Sequence, residues 1–127
     1  MRERKIQVGD DFIILSPNLG DGEIRAITFR HPNIILGIHA PAEEADLSVE
    51  LEKVNGFSFS TNHPQNVIEG IKVFSKRASV ISIYKNLVAA LPLATPQLQD
   101  EVIVIVEPVA GPTIACACKT LRIFSDD

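Results

Sequence analysis

The sequence predicts a mainly β fold of the α+β kind. Its expected parts are a small antiparallel β module at the N-terminus, one amphipathic helix near residues 64–76, and a C-terminal β-hairpin or sheet. Three observations predict it. Residues 23–41 read as two strands, IRAITF and NIILGIHA, joined by a turn at Arg30-His31-Pro32-Asn33. In the next stretch Ala45, Leu47, Val49 and Leu51 alternate with Asp46, Ser48, Glu50 and Glu52, the period of two that a half-exposed strand requires. Further on, Glu101 to Val106 (EVIVIV) is a β-branched run between turn residues. A chain of 127 residues is expected to be one domain, with 1–55 the β-rich module and 56–127 the helix with further strands.

Taken in order, residues 2–5 (RERK) open a strand or an arm, and Val8 to Leu15 holds a turn pair followed by a short apolar strand. Residues 16–22 (SPNLGDG) are dense in turn formers and read as a loop. Gly20-Asp21-Gly22 has half the form of a dinucleotide fingerprint but lacks the third glycine and the following helix. Ile34, Ile35, Leu36 and Ile38 form a nearly continuous apolar run, as in a strand covered on both faces. Gly37 within it marks a bulge or a close backbone approach.

Residues 56–62 (GFSFSTN) alternate briefly and end in turn residues. A helix is expected from Pro64, capped by Asn62, because Val67, Ile68, Ile71 and Phe74 fall on one face of a 3.6-residue repeat. Lys72, Lys76 and Arg77 lie toward its C-terminal end, where cations favour the dipole. Ser79 to Tyr84 reads as a strand, Asn86 to Leu93 is ambiguous, and Thr95 to Asp100 is a loop. Pro108 to Pro112 is a turn, and Thr113 to Phe124 returns as the last strand of a C-terminal hairpin.

Composition narrows the function classes. Hydrophobic residues make up 46% and charged residues 22%, with no Trp and a single Tyr, so the core is built of Val, Ile and Leu. A net charge of −4 argues against a surface devoted to phosphates. Cys116 and Cys118 are too close to form a disulfide framework, which favours a reducing compartment. The start, MRERKIQVGDD, has no apolar stretch behind its charges, and no run reaches the length of a membrane span. The expectation is a soluble, cytoplasmic protein with no membrane partner.

Candidate chemistry is sparse. Cys116 and Cys118 are two apart and share a face of a strand, yet a tetrahedral site needs two further ligands, and small alternating residues suit tight packing. His31, His39 and His63 match no metal spacing and no nucleophile signature, so no catalytic residue, metal or cofactor is expected.

Residues 34–41, Ile-Ile-Leu-Gly-Ile-His-Ala-Pro, followed by Glu43, resemble the most recognisable segment of the carbon storage regulator family of translational regulators. Arg4-Lys5, Val8-Gly9-Asp10, Phe12 to Ile14, Gly20-Asp21 and Ile24 to Phe29 follow in the family's order, with insertions at Ile6-Gln7 and around Ser16 to Leu19. The likeness covers about residues 2–54. It implies that 45–52 is the family's fifth strand, and that a basic first strand and a last-strand arginine grip GGA-containing messenger RNA. Arg4 matches the first position, whereas Ser48 stands at the second, among Glu43, Glu44, Asp46, Glu50 and Glu52.

Two functions are therefore carried forward. The first is a non-enzymatic structural or assembly protein, a subunit of a larger homo- or hetero-oligomer such as a virion component, with Ile35, Leu47, Val49 and Leu51 as candidate interface residues. The second is an RNA-binding regulator of the carbon storage type using Arg2, Arg4, Lys5, Arg25 and Arg30, helped by Lys72, Lys76 and Arg77.

Overall fold

The computed structural model describes residues 1–60, 66–75, 101–110 and 113–126. They form eleven strands and one short 3₁₀ turn: β1 (Arg2–Arg4), β2 (Gln7–Val8), β3 (Ile14–Ser16), β4 (Gly22–Arg30), β5 (Asn33–Ala40), the turn Pro41–Glu43, β6 (Ala45–Glu52), β7 (Gly56–Ser60), β8 (Val67–Phe74), β9 (Val102–Ala110), β10 (Thr113–Cys118) and β11 (Thr120–Ser125). Strands β2 and β3 make a two-stranded ribbon. The other nine form one antiparallel sheet in the order β1-β11-β6-β5-β4-β8-β9-β10-β7. Among the described residues no helix is long and apolar enough to cross a membrane.

The sheet folds over on itself into two leaves. One leaf is β1-β11-β6-β5-β4 and the other is β8-β9-β10-β7. They join where Gly22 and Glu23 of β4 meet Ile68 and Val67 of β8, extended by a hydrogen bond from Ile24 N–H to the Asn66 carbonyl at 2.8 Å. They join again where the chain turns at Lys119 from β10 into β11. Alternation turns Leu36, Ile38, Leu47, Val49, Leu51 and Ile123 of the first leaf inward, onto Ile68, Ile71, Val104, Val106, Ile114 and Cys116 of the second.

The expected β4–β5 hairpin and the strand over 45–52 are both present, with Ile27 opposite Leu36 and Ile38 opposite Leu47. The His31–Pro32 bond in the hairpin turn is cis. The irregularity foreseen at Gly37 lies on the facing strand: β4 bulges between Ile24 and Ala26, and Ala26 is the residue opposite Gly37. A Cβ on Gly37 would stand 3.5 Å from Ala26 Cβ.

Residues 67–74, expected to be helical, are strand β8 instead. The reason lies in its pairing with β9. The register shifts between Ile68 and Gly70, where Glu69 is an extra residue in β8, so Ile68 and Ile71 both reach the core although they are three apart. A bulged strand thus reproduces helical spacing. Phe74 packs on the opposite face with Ile103, Ile105, Ala115 and Ala117, where Phe12 stacks against it at 4.7 Å between ring centroids. Lys72 is held by Glu107 of β9 at 3.2 Å. The proposed cap Asn62, Pro64, Lys76, Arg77 and the readings over 79–100 lie outside the described residues.

The C-terminal hairpin is present as β9–β10, with Cys116 opposite Val104. The stretch expected as one last strand divides at Lys119: β10 pairs with β9 and β7, while β11 crosses to the other leaf and pairs with β6 and β1. The half-fingerprint at residues 20–22 leads straight into β4, not into a helix, and Gly22 is required sterically because a Cβ there would meet the Leu19 carbonyl at 2.8 Å.

Candidate functional site

Strand β7 is the last in the sheet. Phe57 and Phe59 share one face of it, opposite the core residues Cys116 and Ile114 of β10. Phe57 is partly buried against that core, while Phe59 runs past it and keeps 45% of its surface exposed. Among the described residues nothing pairs with the other flank of β7.

A second open flank lies nearby. β5 pairs with β4 along its whole length, but β8 pairs with it only at Gly22 and Glu23, so one side of residues 26–30 has no strand beside it among those described. Phe29, 65% exposed, bridges the two open flanks by meeting Phe57 edge-on, with ring centroids 5.6 Å apart at 90°. A crevice of about 140 Å³ runs between them, lined by Ile24, Arg25, Ala26, Ile27, Phe59 and Asn66. This is a sheet edge with aromatic surface and no charge on β7.

The candidate interface residues divide. Leu47, Val49 and Leu51 are core residues of this chain and face the second leaf, whereas Ile35 stands partly buried on the outer face. Apolar alternation marks a buried face without saying whether the covering layer is the same chain or another; here β8–β10 cover it.

The candidate RNA-binding residues are spread widely. Arg4 donates to Glu43 at 2.6 Å, and Glu43 also accepts the Asn18 N–H at 3.1 Å. These bonds, Arg4's first, hold the Glu43 carboxyl below its ordinary range. Arg25 lies 3.5 Å from Glu23 and 3.9 Å from Asp46. Arg2 lies on β1 opposite Ser125, and Ser48 lies on β6 between Phe124 and Gly37. Arg30 and Lys5 have no carboxylate within ion-pair distance among the described residues. The same holds for Lys53 and Lys119, and these two sit with Arg30 at one end of the first leaf. Lys53 N–H donates to Asn33 Oδ1, and Asn33 faces Arg30; Lys119 N–H donates to the Glu52 carbonyl.

One arrangement was missed in the residues. The β5–β6 register places His39 opposite Asp46, with Nδ1 2.7 Å from Asp46 Oδ1, beside a cavity of about 230 Å³ lined in part by Arg25, Gly37 and Ser48. Counting outward from the tight turn at 41–44 would have found it, since Ala40 faces Ala45. Cys116 and Cys118 both lie in the core, where the hydrogen bond with Cys118 and burial push the Cys116 thiol up. A protonated thiol packs well and ligates metal poorly. Comparison with protein-family models, curated proteins and solved structures finds no match.

Proposed function

We propose that the chain is a non-enzymatic structural subunit that acts by assembling with other protein chains, a virion shell being one setting that would suit it. The observation that carries this reading is the uncharged edge of β7, unpaired among the described residues, beside the exposed Phe29 and Phe59. Exposed strand edges offer unpaired N–H and C=O groups to any chain that can supply a strand, and soluble proteins ordinarily blunt them with charge or proline. The test is light scattering after size exclusion at low and at high salt. An assembly held by apolar burial and backbone pairing keeps its mass in high salt; a monomer at every concentration and salt would sink the reading.

A second reading, an RNA-binding translational regulator of the carbon storage type, is favoured by a specific observation: Arg30, Lys53 and Lys119 stand at one end of the first leaf and make no ion pair among the described residues, near the exposed ring of Phe29. Cations committed to carboxylates are poor phosphate ligands, so under this reading Arg30 matters more than Arg4 or Arg25. A short GGA-containing RNA should then bind at low salt and release steeply as salt rises, and Arg30→Ala should weaken it severalfold. Absence of any salt-dependent shift would exclude it.

A further inference from the structure

Resting on the assembly reading, we infer that β7 is where a second copy of this chain docks, edge to edge and antiparallel about a two-fold axis near Ser58. Of the nine strands in the main sheet, β1 and β7 are the terminal ones. β1 is three residues long and all charged, with Glu3 and Arg4 in ion pairs to Arg122 and Glu43. β7 carries Gly-Phe-Ser-Phe-Ser, with neither charge nor proline. Among the described residues, β7 is the terminal strand without the usual protection of charge or proline.

The occupant follows from charge and pattern. Two copies that each carry −4 repel across most of their surfaces, and an edge without charge is where they approach at least cost. A charged partner would find nothing on β7 of opposite sign to select it. An antiparallel pairing centred on Ser58 sets Phe57 of each copy opposite Phe59 of the other, an aromatic cross-strand pair on one face. Gly56 meets Ser60 at either end, so no like charges are juxtaposed anywhere along the pair. The face carrying Phe57 and Phe59 is the one turned toward the first leaf, so the added strand lies over the exposed end of β4 and covers Phe59, Phe29 and the crevice beside Ile27. Five residues of strand pairing make a small interface, which places the dimer among weak, concentration-dependent ones.

The experiment uses the full chain. Its mass is measured by light scattering over a concentration series in high salt, for the wild type and for Phe59→Lys. Separately, Ser58→Cys and, as a control near the other terminal strand, Lys5→Cys are subjected to mild oxidation. The expected result is a dimer in which Phe59→Lys weakens association by at least about tenfold, because each charge would enter a symmetric apolar contact. Ser58→Cys should cross-link two chains, and Lys5→Cys should not. The native thiols are buried and do not compete. Thermal unfolding of Phe59→Lys checks that the fold is kept, and Ser58→Cys gives an answer that does not depend on it. A salt-resistant oligomer that ignores Phe59→Lys and does not cross-link at residue 58 overturns the β7 contact while leaving the assembly reading in place. A monomer throughout overturns both. A monomer that shifts only with GGA-containing RNA at low salt also overturns both and moves the weight to the regulator.

Discussion

The two terminal strands of the main sheet are built on opposite rules. At β1 every side chain is charged, and ion pairs tie the strand inward: Arg4 to Glu43 of the 3₁₀ turn, and Glu3 to Arg122 of β11 at 2.8 Å. Arg122 also lies 3.5 Å from Glu52 and over the Phe124 ring at 5.0 Å, and its bond to Glu3 leads the causes that push its pKa up. At β7 no charge is present, and the outermost aromatic ring is half exposed. Both strands end the sheet, but among the described residues only β1 is tied down by charged side chains of its own chain. An edge that a protein leaves unprotected is more informative about partners than a buried apolar face, because burial by the chain itself already accounts for the latter.

That contrast can be broken at several points. The largest effect is expected from Ile123→Ala on β11, the strand that carries β1. Ile123 is fully buried, and its truncation should cost about 3 kcal/mol in urea unfolding. Amide exchange should rise along β11 and β1 ahead of β9 and β10. An equal rise at the β7 end would mean that the two ends are not independent.

A smaller effect, about 1 kcal/mol at neutral pH, is expected from Arg4→Ala, since this partly buried pair is the inward tie of β1. The pH dependence sharpens it. Because the folded Glu43 pKa lies below its ordinary 4.5, the stabilisation is complete above that value and is lost as pH falls through the lower folded one. The wild type should therefore lose stability on acidification more steeply than Arg4→Ala, as denaturant titrations from neutral to acid pH would show. Parallel acid limbs would assign the tie elsewhere.

The smallest change is expected at Phe29→Ser. It removes the edge-on contact with Phe57, worth about 0.5–1.5 kcal/mol when buried and toward the low end at this exposure. Its stability cost should be slight while its effect on association is plain. A large loss of stability with unchanged association would show that Phe29 serves the fold and not the edge.

How much of this was legible beforehand differs from residue to residue. The hairpin at 30–33, the alternation over 45–52 and the run over 101–106 carried their conformation in local pattern, because period two and β-branched side chains act within a few residues. The Ala-Cys-Ala-Cys segment was legible as a packing site, and all four residues are buried. Residues 67–74 were not. The register shift at Glu69 against β9 gave Ile68 and Ile71 the spacing of a helix, and nothing within the strand itself distinguishes the two.

Local chemistry thus decided that this chain is mainly β, where its strongest strands lie, and that its core is aliphatic. Pairing over long separations decided the rest. It sent β11 across to β6 and β1, closed Leu47, Val49 and Leu51 inside the chain, brought His39 to Asp46, and placed β7 last among the described strands of the sheet. The physical reason is that side-chain periodicity states which face of a strand is buried. Which strand lies beside it is set by hydrogen bonds and packing between segments distant in sequence.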